Sequence, residues 1–149
     1  MTKYIDPEFV FNKFKELCND KYFVDKSNII NEFNKNCTNF CNRYICITRP
    51  KGFGKSSIAY MLTSYYGKSF TNSKELFDSL NVSKDVQYEK YRGKYHTIYI
   101  NFSENVKQLK TLREYLSFFN LEIKKDIEKI FPNAKILKNY KDFLTRNLR

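Results

Sequence analysis

The sequence predicts an α/β fold with a parallel β-sheet at its core, helices before the sheet and a long amphipathic helix after it. Residues 43–48 are rich in β-branched and aromatic side chains, which favour a buried strand. Residues 97–103 form a second run of the same kind. Between them, apolar side chains recur at helical spacing from Ile58 to Tyr65. This strand–helix–strand order is the unit from which parallel sheets are built.

Length and composition predict one domain with a hydrophobic core. The chain has 149 residues, of which 42% are hydrophobic and 17% aromatic, and this excludes a disordered chain. We divide the domain into an N-terminal helical segment (1–40), a strand–helix–strand unit (41–104) and a C-terminal helical segment (105–149).

The N-terminal segment is predicted to hold two helices. Asp6 followed by Pro7 indicates an N-cap and a first helical residue, and the helix is expected to run to about Cys18. Asp25 or Ser27 is predicted to cap the second helix, and residues 34–42 to form a polar loop. Lys26 is expected to be solvated. In the alternative, Lys26 lies near a bound phosphate or Asp25 lies near Arg49.

The C-terminal part is predicted to be helical as well. A short helix is expected at residues 73–80, and residues 82–93 are expected to be irregular. A long amphipathic helix that ends at Pro132 is indicated by apolar residues at steps of three and four: Leu109, Leu112, Leu116, Phe119, Ile123, Ile127 and Ile130. The basic residues 135–149 allow one more short helix.

The turn between the first strand and its helix has the composition of a phosphate-binding loop. It holds two of the 4 glycines of the chain, and its residues are Arg49, Pro50, Lys51, Gly52, Phe53, Gly54, Lys55, Ser56 and Ser57. The N–H groups of such a turn point towards a common centre, where the helix dipole favours an anion. Lys55 is predicted to reach the β- and γ-phosphates, Ser56 to bind Mg²⁺, and Ser57 to contact the α-phosphate.

The loop departs from the standard P-loop pattern, because Arg49 stands where that pattern has glycine. This departure resembles the AAA-ATPase-like family, whose loop has the form Arg-Pro-x-x-Phe-Gly-Lys-[Ser/Thr] and whose members often carry a PD-(D/E)XK nuclease domain downstream. Asp25 and Lys26 ahead of the loop fit the same resemblance, as do residues 75–80 and 97–103. The resemblance covers residues 6–104 and implies binding of ATP and Mg²⁺ in a P-loop fold.

Hydrolysis of ATP by this chain alone is not expected. Hydrolysis requires an acidic side chain that positions Mg²⁺, and often an arginine supplied by another part of the protein or by a partner. The strand at residues 97–103 contains no carboxylate, and no catalytic residue is identified. The resemblance implies that the acid lies on a later strand and that further strands separate the two predicted here. The chain is therefore expected to be the N-terminal part of a larger ATPase, or a truncated descendant of one, with the sheet completed by a further region or a partner subunit.

The net charge of +11 permits a second interpretation, in which a catalytically silent basic module binds nucleic acid. The candidate contacts are Lys107, Lys110, Lys124, Lys125, Lys135, Lys138 and Lys141. A bias towards AT-rich codons is the competing explanation of the lysine excess, and we favour it over a functional one. A helical interaction fragment with neither activity is a third alternative.

The four cysteines and the N-terminus predict a reducing compartment. Cys18, Cys37, Cys41 and Cys46 form no Cys-x-x-Cys pair, and Cys18 and Cys46 are expected to be buried apolar residues. The sequence has no signal peptide and no run of about 20 apolar residues. A cytoplasmic or nuclear protein without a membrane span is therefore expected.

Overall fold

The structure, a computed structural model, describes residues 2–37, 44–103 and 109–133. Regular secondary structure in these ranges is helical. In chain order it comprises α1 (Glu8–Cys18), α2 (Ile29–Cys37), α3 (Lys55–Tyr66), α4 (Ser73–Asp78), a 3₁₀ helix (Asn81–Lys84), α5 (Tyr88–Tyr91) and α6 (Leu112–Ile130). An isolated parallel bridge joins Gly67 to Tyr95. Since these ranges contain no strand, the predicted parallel sheet is wrong.

Both segments predicted as strands are irregular where they are described. A strand persists only when its backbone groups pair with a neighbouring strand, and residues 44–48 have no such ladder within the described ranges. Tyr44 and Ile45 are exposed, whereas a central strand would bury them. Residues 97–103 form no ladder either; the carbonyl of Thr97 accepts a hydrogen bond from the Asp6 N–H instead, at 2.8 Å. Arg43 lies outside the described residues.

The chain divides into two compact units, one of which is Asp6–Ile98. Its helices α1 and α3 pack against each other. Their apolar faces join those of the following helices in one core, whose most deeply buried members are Phe14, Ile30, Met61, Tyr65, Phe77 and Val82. The core therefore fixes α3, and with it the loop that precedes α3.

Met1–Ile5 and Tyr99–Arg149 form the other unit. Its core comprises Tyr4, Ile5, Phe119 and Ile123, and the rings of Tyr4 and Phe119 meet edge to face with centroids 5.5 Å apart. Asp126 lies on the same face of α6 and is 2% exposed. One of its carboxylate oxygens, Oδ2, accepts hydrogen bonds from the backbone N–H groups of residues 3, 4 and 5 at 2.8, 2.6 and 3.2 Å.

The predicted helix bounds hold for most of the helices. The periodicity that indicated a helix up to Pro132 is confirmed by α6 from Leu112 onwards, whereas Leu109, the first residue of the predicted stripe, lies before the helix. Thr111 caps α6 by accepting a hydrogen bond from the Glu114 N–H at 3.2 Å. The predicted loop at residues 34–42 is wrong in part, because α2 continues to Cys37. Residues 82–93 are not wholly irregular, since they include part of the 3₁₀ helix and α5. The short helix allowed at 135–149 lies outside the described residues.

Asp6 does not cap α1 as predicted. Pro7 occupies the N-cap position, and no side chain caps the helix. The Asp6 carboxylate is buried. It accepts hydrogen bonds from the Ser69 hydroxyl at 2.9 Å and from the N–H and the hydroxyl of Thr97, each at 2.7 Å. It also contacts Nδ1 of His96 at 2.8 Å. Its backbone has a φ of 43°, which is uncommon for a residue with a Cβ. Asp6 thus joins the start of the unit to a segment some ninety positions later.

None of the helices in the described ranges has both the length and the apolar character needed to cross a lipid bilayer.

Candidate functional site

Residues 49–57 form a tight turn that leads into α3. Gly52 and Gly54 have positive φ values of 87° and 77°, which glycine reaches without the steric cost of a Cβ. Between them, the Phe53 N–H points back to the Pro50 carbonyl at 3.4 Å. These two glycines were predicted to let the backbone bend in this turn, and their positive φ values confirm that prediction.

The start of α3 is not capped by any side chain. Its N-cap residue is Gly54, and its first turn contains no acidic residue. The Ile58 N–H makes the first hydrogen bond of the helix, to the Gly54 carbonyl at 2.9 Å. The preceding N–H groups, at Lys55, Ser56 and Ser57, have no partner within the helix. Together with the helix dipole, these donors favour an anion at this position.

Lys55 lies against the backbone at the beginning of the loop. Its Nζ donates to the carbonyl oxygens of Arg49 at 2.7 Å and Pro50 at 2.9 Å. Both bonds are exposed, so phosphate oxygens can replace the carbonyls without leaving a buried group unpaired. The ammonium group of Lys55 therefore lies at the same end of α3 as the N–H groups that have no partner within the helix.

The other predicted loop residues are exposed to different degrees. The Arg49 guanidinium donates to the carbonyl of its neighbour Thr48 at 2.9 Å. Lys51, Phe53 and Ser56 are exposed, and Ser57 is half-buried. The Ser56 hydroxyl is thus open to solvent, as a ligand to a hydrated metal ion would be.

A cavity of about 380 Å³ adjoins the loop. Gly52, Gly54 and Ser57 line the side that the loop contributes. The remaining wall is largely apolar and includes Phe14, Phe23, Val24, Ile58 and Met61. The sequence predicted some of these side chains only as core residues, because helical spacing does not distinguish a core face from a cavity wall.

The segment before α2 also reaches the loop. Lys26 is exposed, as predicted, but its Nζ donates to the Phe53 carbonyl at 3.3 Å, which supports the alternative placement near the loop. Asp25 does not contact Arg49; its carboxylate accepts from the N–H groups of Ser27 and Asn81, each at 2.7 Å. Burial alone would raise the pKa of Asp25, but these hydrogen bonds outweigh burial and lower it.

The two described thiols differ in accessibility. The prediction that Cys46 is buried is wrong, since it is exposed, whereas Cys18 is half-buried. Burial, with a smaller effect of the nearby Asp25 charge, raises the pKa of Cys18 to about 11. The Cys18 thiol is therefore almost entirely protonated at neutral pH.

We expect a maleimide at neutral pH to label Cys46 faster than Cys18, because the thiolate is the reactive form and the Cys46 side chain is accessible. Brief labelling followed by peptide mass spectrometry measures both rates in one sample. Labelling in concentrated urea is the control, and it should bring the two rates together. Equal rates in the folded protein would contradict the placement of these residues.

The lysines proposed to contact nucleic acid are described only in part. Lys110, Lys124 and Lys125 lie in the described ranges, and the other four lie outside them. Lys124 is 3.9 Å from Glu128, and Lys125 pairs with Glu122, all on α6. Since glutamates accompany these two lysines, this part of α6 is of mixed charge. Nucleic-acid binding stays a prediction.

The chain matches a protein-family model over most of its length. Residues 9–147 match the AAA-ATPase-like family, which is described as "Predicted AAA-ATPase". The chain has no significant match among curated proteins or among solved structures.

Proposed function

Because the chain belongs to the AAA-ATPase-like family, we propose that residues 49–57 bind the phosphates of ATP. The observation that carries the proposal is the position of Lys55 at the uncapped start of α3. A cation and free backbone N–H groups at a helix N-terminus are what a phosphate chain requires. The positive φ values of Gly52 and Gly54 support a close approach of the phosphates to the backbone.

The cavity beside the loop suits the remainder of the nucleotide. Its wall is largely apolar, and its volume of about 380 Å³ falls within the range of small-molecule sites. A base and its sugar placed there would leave the phosphates at Gly54 and Ser57, which line the same cavity. The proposal thus assigns the apolar part of the ligand to the cavity and the charged part to the loop.

Mg²⁺ is proposed to bind together with the phosphates. Ser56 offers one exposed hydroxyl oxygen, and Mg²⁺ in nucleotide sites takes few protein ligands besides phosphate oxygens and water. Bound there, the ion would neutralise phosphate charge. We propose binding rather than hydrolysis, since residues 97–103 carry no carboxylate to order the metal.

Lys55→Ala tests this proposal. We expect it to weaken ATP binding by about 100-fold or more, because it removes the cation that, on this proposal, makes charge-assisted bonds to the phosphates. Isothermal titration calorimetry with Mg²⁺-ATP measures the change, and circular dichroism checks that the exposed substitution leaves the helices intact.

Lys35→Ala is the matched control. It also removes one exposed lysine, but from α2, where the ammonium group pairs with Glu32 at 2.7 Å. Its affinity for ATP should equal that of the wild type. An unchanged affinity in Lys55→Ala would show that the loop is not the phosphate site.

A further inference from the structure

We propose that Lys26 is a second phosphate-binding cation, supplied to the loop from the segment before α2. This inference rests on the proposed function and names a further residue of the same site. It would give the phosphate chain two ammonium groups from separate parts of the unit Asp6–Ile98.

The two ammonium groups contact different parts of the loop. Lys55 contacts the carbonyls of its first two residues, Arg49 and Pro50. Lys26 contacts the Phe53 carbonyl, and its Nζ lies 3.4 Å from the position that a Cβ on Gly54 would occupy. Lys26 therefore lies next to the N-cap residue of α3, close to the N–H groups that have no partner within the helix. It also lines the cavity.

The residues on both sides of Lys26 are held by side-chain hydrogen bonds to the backbone of the 3₁₀ helix. Asp25 accepts from the Asn81 N–H at 2.7 Å, and the fully buried Ser27 accepts from the Val82 N–H at 3.0 Å. Between these anchors the Lys26 side chain is exposed. Such an arrangement holds a cation close to its ligand and reduces the entropy lost on binding.

The contact that Lys26 makes without a ligand is easily exchanged. At 3.3 Å its bond to the Phe53 carbonyl is longer than usual, and it is exposed. A phosphate oxygen offers a shorter, charge-assisted bond in its place. Binding would therefore convert a weak contact into a strong one, at the small cost of a side-chain shift.

Lys26→Ala and Lys26→Gln test the inference, with Lys35→Ala as the control. Titrations use both Mg²⁺-ATP and inorganic tripolyphosphate, which has no base or sugar. We expect each Lys26 variant to bind both ligands about 10-fold more weakly than the wild type, as one lost charge-assisted bond implies. Lys26→Arg, which keeps the charge, should recover part of the loss.

Comparing ATP with tripolyphosphate shows whether Lys26 contacts the phosphates or the base and sugar. A loss of affinity for ATP but not for tripolyphosphate would place Lys26 at the base or sugar and overturn the inference. If Lys55→Ala abolishes ATP binding while both Lys26 variants bind like the wild type, the inference fails and the proposed function stands. If the wild-type chain binds neither ligand, both fail.

A double-mutant cycle tests whether Asp25 positions Lys26 for binding. If Asp25 acts by positioning Lys26, Asp25→Asn weakens ATP binding in the wild type and has no further effect in Lys26→Ala. A merely structural role for Asp25 would produce the same loss in both backgrounds, and that result would contradict the positioning role.

Discussion

Asp126→Ala is expected to lower the free energy of unfolding of the unit that contains α6 by at least about 3 kcal/mol. One carboxylate oxygen accepts from three successive N–H groups, of Lys3, Tyr4 and Ile5. The carboxylate is buried, so alanine would leave N–H groups without an acceptor where water does not replace it. Urea unfolding followed by circular dichroism measures the loss.

Amide hydrogen exchange makes this prediction specific to the site. The N–H groups of Tyr4 and Ile5 should lose protection in Asp126→Ala before the rest of the unit does. Glu128→Ala is the control, since Glu128 is an exposed acidic residue of the same helix and lies 3.9 Å from Lys124. It should change stability by less than about 0.5 kcal/mol. Similar effects of the two substitutions would show that the three bonds do not stabilise the protein.

Asp6→Ala should cost at least about 3 kcal/mol of the stability of the unit Asp6–Ile98. The change removes the acceptor of the Ser69 hydroxyl and of both the N–H and the hydroxyl of Thr97, and it leaves His96 without its carboxylate partner. Thermal unfolding and urea unfolding both report the loss.

Asp6→Gly distinguishes the effect of losing the carboxylate from the effect of backbone strain. The φ of 43° is strained for alanine and easy for glycine. If the carboxylate carries the effect, Asp6→Gly loses nearly as much stability as Asp6→Ala. If Asp6→Gly is as stable as the wild type, backbone strain in the alanine variant is the cause, and the proposed role of the carboxylate is wrong.

The sequence was most informative where structure is local. Helices α3 and α6 follow from apolar spacing over three or more turns, and the turn at Gly52 and Gly54 follows from the scarcity of glycine elsewhere. Each of these features depends on neighbours within about four residues along the chain.

The strands were predicted wrongly because a strand is not a local structure. Residues 44–48 have the composition of a buried strand, but composition does not supply the neighbour whose N–H and C=O groups would pair with them. For the same reason Cys46 was expected in the interior and lies at the surface. The family resemblance carried the same expectation of a sheet and did not correct it.

The buried carboxylates were missed for a related reason. Asp126 sits on the face of α6 that holds Phe119 and Ile123, and an acidic residue within an apolar stripe is the only sequence signal of its role. Its partners lie more than 120 positions away. Asp6 was assigned to the nearest helix, while its actual partners, Ser69, His96 and Thr97, are distant in sequence. Spacing along the chain does not reveal such pairs.

On our proposal, the uncapped start of α3 couples ligand occupancy to local melting. Where a Ser, Thr, Asp or Asn side chain caps a helix, as Thr111 caps α6, the acceptor is always present. Here, on our proposal, an exchangeable anion takes its place, so the first turn of α3 gains its missing acceptor only while nucleotide is bound. By mass action, the stability of that turn then rises with the concentration of free nucleotide. Fraying at residues 55–57 would therefore report the fraction of the protein without bound nucleotide.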